Sequence, residues 1–242
     1  MAKRTPLIIA HRGASGLVAS ENTVEAFEKA VEIGAPMVEF DVRRTRDKVL
    51  VCIHDAEIDG APIDGLTFDE LQSRSAKLGF EVPRLKHVLS AFKGRISFDV
   101  ELKEQGYEDQ VLDVISSELT PSQYIIKSFH DETVRVIKAM DEQVYTGLLL
   151  GVTAPAGMKT RLGEVLPEVR LARAGVDFVS PNHKLVKLGF IGRMHRLGYK
   201  VYVWTVDDID MMTRLLKLGA DGIITNRPDL GLSVVGSAGR DH

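Results

Sequence analysis

The chain has 242 residues, of which 44% are hydrophobic, enough to bury a core in one large α/β domain or in two small ones. Its 31 basic and 34 acidic side chains leave a net charge of −3, and the basic residues are scattered. This balance argues against nucleic acid or a membrane surface as a partner. Cys52 is the only cysteine, so no intrachain disulfide can form. No apolar run suits a signal peptide or a membrane span, and we expect a soluble cytoplasmic protein.

Nine strand-like runs alternate with helical stretches along the chain. They cover residues 7–10, 37–42, 49–53, 96–102, 124–129, 144–150, 176–180, 200–206 and 222–225. Only residues 43–48 separate the second run from the third, too few for the crossover that a parallel neighbour requires. We therefore expect the third run to pair antiparallel with the second. The other eight are then expected to be parallel strands.

Helical periodicity separates most of these runs. It covers residues 22–33, 108–118, 132–140, 159–174, 184–197 and 209–218. Asn22 is predicted to cap the first of these helices, with Glu25 in a capping-box relation. Eight βα units in about 250 residues are typical of a TIM (β/α)8 barrel. The eighth helix has the weakest signal, and we expect a short flexible C-terminal tail instead.

Residues 55–83 interrupt the alternation of strands and helices. Turn signals stand at Asp59-Gly60 and Asp64-Gly65, and a short helical piece begins at Thr67. Together with the antiparallel run, this region is predicted to be an insertion of about residues 44–83 that follows the second barrel strand. The insertion is expected to fold over the barrel mouth. Residues 1–242 would then form a single barrel domain.

Three acids stand on two predicted barrel strands. Glu39 and Asp41 share one face of their strand because side chains alternate in direction. Strand ends meet at one mouth in a barrel, so Glu101 could join them around one cation. Carboxylates suit Mg²⁺ or Ca²⁺, whereas zinc is disfavoured because no Cys/His set has suitable spacing. The alternatives are a solvated surface strand and a simple ion pair between Glu101 and Lys103, and spacing alone does not decide between them.

Two histidines end strand-like runs near these acids. His11 and Arg12 follow the first run, and His54 follows the antiparallel one. Two imidazoles at one mouth could serve as a base and an acid, although the sequence does not assign the two roles. Arg12 offers a planar fork for phosphate oxygens, and Lys103 is a second cation. A metal, a base, an acid and two cations fit the requirements of phosphodiester cleavage.

The ordered motifs resemble the glycerophosphodiester phosphodiesterase family, in its small bacterial cytoplasmic form. The motifs are His-Arg-Gly at 11, Glu-Asn-Thr at 21, Glu-Phe-Asp at 39, His-Asp at 54, Glu-Leu-Lys at 101, Ser-Phe at 128, Val-Trp-Thr-Val at 203 and Thr-Asn-Arg-Pro at 225. The resemblance implies a TIM barrel with a small insertion after the second strand. It also implies hydrolysis of glycerophosphodiesters to sn-glycerol 3-phosphate and an alcohol, with one divalent cation.

The resemblance also implies a role for each matching residue. The acid/base pair would be His11 and His54, the metal ligands Glu39, Asp41 and Glu101, and the phosphate contacts Arg12 and Lys103. Trp204 would line a glycerol pocket at the mouth, and the alternative is that this side chain only packs the barrel.

Two positions depart from the family pattern. Ser20 stands where the family usually has proline, and we expect only a local loosening of the chain there. Asn226 stands where the late motif often has aspartate. An amide still forms hydrogen bonds but carries no charge, which puts a catalytic role for this position in doubt.

Two other functions stay open. A lysophospholipase D or a cyclic-phosphate-forming phosphodiesterase could share the fold, and activity on lipids would need an apolar ledge such as Phe68, Leu78 and Phe80. A non-catalytic barrel that binds phosphorylated ligands is disfavoured because every matched position is filled. The preferred alcohol, the native cation and the oligomeric state do not follow from the sequence.

Overall fold

The computed structural model of the protein describes residues 5–151, 166–187 and 189–238. The strands are β1 (Leu7–His11), β2 (Met37–Arg44), β3 (Leu50–Cys52), β4 (Glu57–Ile58), β5 (Ala61–Pro62), β6 (Ser97–Leu102), β7 (Tyr124–Ser128), β8 (Tyr145–Leu150), β9 (Phe178–Pro181), β10 (Lys200–Val203) and β11 (Gly222–Thr225). The helices are α1 (Val24–Ile33), α2 (Phe68–Lys77), α3 (Leu85–Phe92), α4 (Glu108–Glu118), α5 (Asp131–Met140), α6 (Glu168–Ala174), α7 (Phe190–Arg196), α8 (Ile209–Lys217) and α9 (Pro228–Ala238).

Eight parallel strands close into a barrel. They follow one another in the order β1, β11, β10, β9, β8, β7, β6 and β2, and β1 pairs with β2 to complete the circle. β3 pairs antiparallel with β2, as the short connection between them predicted. The TIM barrel that the sequence predicted is confirmed.

Side chains on the barrel strands separate into two faces. Outward-facing aromatic rings pack against the helices: Phe40 lies 5.7 Å from Phe27 of α1 and 6.1 Å from Phe98 of β6, measured between ring centroids. On the other face of β2, Met37 belongs to a small apolar cluster with residues of β1, β7, β9, β10 and β11. Glu39 and Asp41 follow it on this face, toward the carboxyl end of the strand.

The segment between β2 and α3 has an apolar cluster of its own. Its buried members are Val51, Ile53, Ile58, Ile63, Leu66, Leu71 and Val82. The hairpin β4–β5 and helix α2 lie in this segment, and Thr67 caps α2 in a capping box with Glu70. These contacts hold the segment together beside the barrel as a small folded unit, in the place where the insertion was predicted.

Several predicted helix boundaries differ from the structure. α1 begins at Val24 and is capped by Thr23, so the prediction that Asn22 caps it was wrong. The helix predicted over 184–197 is shorter, because a 3-10 turn at His183–Leu185 precedes α7. The first part of the helix predicted over 159–174 lies outside the described residues.

The predicted C-terminal tail is helical over most of its length. α9 runs from Pro228 to Ala238 and packs against β1 and α8, and residues 239–242 lie outside the described part. Gly231 permits this packing because a Cβ atom there would lie 2.8 Å from Cγ2 of Ile8. Within the described residues, no helix is long and apolar enough to cross a membrane.

Candidate active site

The three predicted metal ligands lie together at the carboxyl end of the barrel. Strand register places Asp41 of β2 opposite Glu101 of β6. Glu39 lies two residues before Asp41, on the same face of β2. All three side chains are buried, and one oxygen from each lies within 4.8 Å of the others. The sequence therefore predicted correctly that these acids converge, and the reading of a solvated surface strand was wrong.

Two predicted phosphate-binding residues neutralise this acid cluster. Nζ of Lys103 lies 2.6 Å from Glu101 Oε1 and 3.3 Å from Asp41 Oδ1. Nε of Arg12 lies 3.3 Å from Asp41 Oδ2. The alternative of an ion pair between Glu101 and Lys103 is thus realised inside the acid cluster. Because buried carboxylates are costly without nearby positive charge, these contacts allow the cluster to form.

The backbone after β1 also contributes to the cluster. Arg12 adopts φ +53°, and its backbone N–H donates a 3.0 Å hydrogen bond to Glu39 Oε2. Its guanidinium donates to Glu21 Oε1 at 2.7 Å, so Glu21 borders the site. The left-handed turn therefore directs both the backbone and the side chain of Arg12 toward the mouth.

Asn22 holds Asp41 in place. Its Nδ2 donates to Asp41 Oδ2 at 2.9 Å, and its Oδ1 accepts a 3.3 Å hydrogen bond from the Asp41 backbone N–H. The side chain is buried and the backbone has φ +56°, a region that asparagine tolerates better than most residues. Asn22 therefore belongs to the site and does not cap a helix.

A buried lysine lies beside the acid cluster and was missed by sequence reasoning. Nζ of Lys127, on β7, lies 2.7 Å from Asp99 Oδ2 and 3.3 Å from Glu39 Oε1. Both ends of the Lys127–Asp99 pair are fully buried. The available signal was a lysine within the otherwise apolar run Tyr-Ile-Ile-Lys at residue 124. Charged residues are rarely buried unless paired, so such a lysine predicts an acidic partner.

Burial and neighbouring charges shift the carboxyl pKa values in opposite directions. Burial favours a raised pKa at Asp41, but Lys103, Arg12 and His54 outweigh it and lower the pKa to about 2. At Glu101, burial and the charge of Asp41 outweigh Lys103 and raise the pKa to about 7. Glu101 therefore holds its proton to a higher pH than Asp41 does.

The two predicted acid/base histidines have different surroundings. Nε2 of His11 lies 3.9 Å from Glu39 Oε2, and burial lowers the pKa of this histidine despite the nearby acid. His54 follows β3, is one-third exposed, and its Nδ1 lies 2.8 Å from Asp55 Oδ1. The residue before it, Ile53, donates a backbone hydrogen bond to the Asp41 carbonyl at 3.0 Å, so His54 lies next to the strand that carries Asp41.

Trp204 lies at the barrel mouth and also packs the barrel. Its Nε1 donates a 2.7 Å hydrogen bond to the Ser180 carbonyl, and its ring meets Phe129 edge-on at 5.6 Å. The Phe129 ring in turn lies 6.0 Å from Nζ of Lys103. Trp204 is thus connected to the charged site through one aromatic ring.

The donor set of the acid cluster fits a hard divalent cation. Three carboxylates supply oxygen ligands of the kind that Mg²⁺ and Ca²⁺ prefer. Asp41 Oδ1 is buried and accepts no hydrogen bond from any described residue, although Nζ of Lys103 lies 3.3 Å away. The cluster could therefore bind an ion.

Comparison with known proteins identifies the family. The model of the Glycerophosphoryl diester phosphodiesterase family matches residues 11–230, which is most of the chain. The chain belongs to this family. The resemblance stated from the sequence is confirmed, and so is the TIM barrel that it implied.

Similar proteins match more than nine-tenths of the chain. YhdW of Bacillus subtilis, which carries the name glycerophosphodiester phosphodiesterase provisionally, is 30% identical. The match covers 92% of this chain and 95% of YhdW. Glycerophosphodiester phosphodiesterase of Caldanaerobacter subterraneus is 29% identical. The match covers 96% of this chain and 99% of that protein. An Oleispira antarctica phosphodiesterase, solved in complex with the product sn-glycerol-3-phosphate, has a TM-score of 0.82 at 21% identity and covers 96% and 97%. The chain is an enzyme of this family.

Replacement of Lys127 by methionine tests the buried ion network. Lys127→Met leaves Asp99 and Glu39 without their buried cation, so the free energy of unfolding should fall by about 3–5 kcal/mol, as measured by urea denaturation. Lys29→Met is the control, since Lys29 forms an exposed pair with Glu32 and should change stability little. Equal losses in the two variants would contradict the stabilising role of Lys127.

The raised pKa of Glu101 predicts pH-dependent cation binding. A cation must displace the proton that Glu101 holds below about pH 7, so affinity should rise about tenfold per pH unit up to that point and then level off. Calorimetric titration with Mg²⁺ at several pH values measures this profile. Glu101→Gln should weaken binding and flatten the profile, and an unchanged slope in that variant would assign the proton to another group.

Proposed function

We propose that the chain is a divalent-cation-dependent hydrolase that converts glycerophosphodiesters to sn-glycerol 3-phosphate and an alcohol. The observation that carries this proposal is the buried cluster of Glu39, Asp41 and Glu101 at the barrel mouth, with His11 beside it. The Oleispira antarctica structure supports it, because that related fold is described with sn-glycerol-3-phosphate as its product.

Glu39, Asp41 and Glu101 are the proposed ligands of one Mg²⁺ or Ca²⁺ ion. When bound, such an ion neutralises charge on a phosphoryl oxygen and lowers the pKa of an attacking oxygen. Arg12 and Lys103 now pair with the same carboxylates. The bound ion would supply the positive charge that Arg12 and Lys103 now supply to the carboxylates. Both side chains would then be available to phosphate oxygens, for which the planar fork of arginine is well suited.

His11 and His54 are proposed to transfer protons on either side of the phosphodiester. One imidazole would take a proton from the attacking oxygen, and the other would donate a proton to the departing alcohol. Trp204 is proposed to line the glycerol pocket, because it lies against Phe129, which neighbours the phosphate-binding Lys103. An apolar ring suits the carbon face of glycerol.

A second candidate activity is that of a lysophospholipase D. Leu78 and Phe80 line a cavity of about 360 Å³ that also reaches His54, and Leu78 is 56% exposed. They would give a lysolipid chain an apolar surface beside the site. Phe68 is a weaker member of the predicted ledge because the Arg84 guanidinium covers its ring at 4.2 Å. A phosphodiesterase that forms cyclic phosphates is the remaining alternative.

Residues 1–242 are further proposed to act as a single catalytic domain, with an insertion of about residues 44–83, in the cytoplasm. The closed barrel and the family match over residues 11–230 support one domain. The proposed partner is the small-molecule glycerophosphodiester substrate, with no nucleic acid and with the oligomeric state left open.

The decisive assay measures release of glycerol 3-phosphate from glycerophosphocholine. We expect release with Mg²⁺ or Ca²⁺, loss with EDTA, and recovery when the cation is restored. His11→Ala and His54→Ala should each lower turnover by about 10²–10⁴-fold with the fold retained, as judged by circular dichroism. His87→Ala is the control, because His87 is an exposed residue of α3 outside the site.

Four results would contradict parts of the proposal in different ways. Absence of release with either cation would reject the activity. Near-normal turnover of His11→Ala or His54→Ala would remove that histidine from the proton transfers, and an unchanged cation titration of Glu39→Gln would remove Glu39 from the ligand set. Faster turnover of lysophosphatidylcholine than of glycerophosphocholine, with a loss confined to the lipid in Leu78→Ser, would favour the second activity. Phosphorus NMR of the product separates linear from cyclic phosphate.

A further inference from the structure

A chain of short hydrogen bonds connects Asp207 to His11 through Asn226. Nδ2 of Asn226 lies 2.7 Å from Asp207 Oδ2, and Oδ1 of Asn226 lies 2.7 Å from Nδ1 of His11. Asp207 Oδ1 accepts from the Asn226 backbone N–H at 2.8 Å and from the Thr225 hydroxyl at 2.9 Å. Ser15 Oγ lies 2.8 Å from both Asn226 Oδ1 and the His11 carbonyl oxygen, and its single proton is shared between these two acceptors. Both ends of the Asn226 amide are thus held by specific partners.

The chemistry of these groups determines the direction of the two hydrogen bonds that the Asn226 side chain forms with Asp207 and His11. An ionised carboxylate only accepts hydrogen bonds, so the amide group that faces Asp207 must be the NH₂ of Asn226. The oxygen of the amide therefore faces His11, and it can only accept. Nδ1 of His11 must then carry a proton, and in the neutral ring Nε2 has the free electron pair. Nε2 is the nitrogen that faces the acid cluster, 3.9 Å from Glu39.

We propose that Asn226 and Asp207 are positioning residues that fix the tautomer of His11, with the proton on Nδ1 and the free pair of Nε2 directed into the site. This inference rests on the proposed function and deepens it, because it names the nitrogen that exchanges a proton with the substrate. It also gives a reason for the uncharged amide at position 226. A carboxylate there would lie about 2.7 Å from that of Asp207 and would repel it.

The two single substitutions should each disrupt the hydrogen-bond chain between Asp207 and His11. In Asp207→Asn, the new amide keeps its oxygen on the Asn226 backbone N–H and presents NH₂ to the Asn226 side chain. That side chain must then turn its own NH₂ toward His11, so Nδ1 becomes an acceptor and the proton moves to Nε2. In Asn226→Asp, two carboxylates face each other and the pair separates.

The double substitution Asp207→Asn/Asn226→Asp should restore the original pattern. The amide at 207 donates to the carboxylate at 226, which accepts the Nδ1 proton of His11. Because composition and net charge are unchanged, this variant separates hydrogen-bond direction from the mere presence of polar side chains. Asp208→Asn is the matched control, since the side chain of Asp208 caps α8 by accepting a hydrogen bond from the Met211 N–H.

Nitrogen NMR of the His11 ring, without cation or substrate, is the first test. We expect the Nδ1–H form in the wild-type protein and in the double variant, and the Nε2–H form in Asp207→Asn. An Nε2–H form in the wild-type protein would overturn the inference, whether or not any variant folds. This readout needs no turnover, so it remains informative even if the protein releases no glycerol 3-phosphate, an outcome that would reject the proposed function alone.

Steady-state kinetics is the second test. Asp207→Asn should lower kcat by about 10²–10⁴-fold, the range for loss of a general acid or base, with KM and Mg²⁺ affinity little changed. The double variant should recover most of kcat, and Asp208→Asn should keep it. Wild-type kcat in Asp207→Asn, or a double variant that folds with the Nδ1–H form and remains as slow as Asp207→Asn, would contradict the proposed positioning role.

Discussion

The exclusion of water from three neighbouring carboxylates is the constraint on which the site depends. Glu39, Asp41 and Glu101 approach one another closely in a buried barrel mouth, where their mutual repulsion is poorly screened. Such a cluster forms only if positive groups come equally close. Lys127 provides one from β7, Lys103 provides one from the position directly after β6, and Arg12 provides a third from the turn after β1. The closed barrel is what brings these positions within a few ångströms.

Charge balance and hydrogen-bond direction control different parts of the same site. The opposite pKa shifts of Asp41 and Glu101 show that the balance is uneven, with one member ionised far below neutral pH and another holding a proton near it. His11 lies beside Glu39, yet its orientation is set from the other side by the amide of Asn226. The cluster and the histidine are therefore held by separate sets of partners.

Much of this arrangement follows from local rules that act within a few residues. The connection 43–48 is too short for a crossover, which is why the antiparallel pairing of β3 was predictable. Glu39 and Asp41 share a face because strand side chains alternate, and the eight repeated βα units indicated the barrel. The ordered motifs added the family, and they also supplied the proposed roles of the site residues.

The sequence by itself thus determined the barrel and the convergence of the three acids, because period and loop length are local properties. Only the tertiary structure decided that Asn22 holds Asp41, that the buried Lys127 pairs with Glu39 and that Asn226 orients His11. The partners in these contacts come from different segments of the chain, and no local pattern specifies which distant side chain a buried polar group will meet. Closure of the barrel determines which distant side chains come into contact, because it sets the register between the strands.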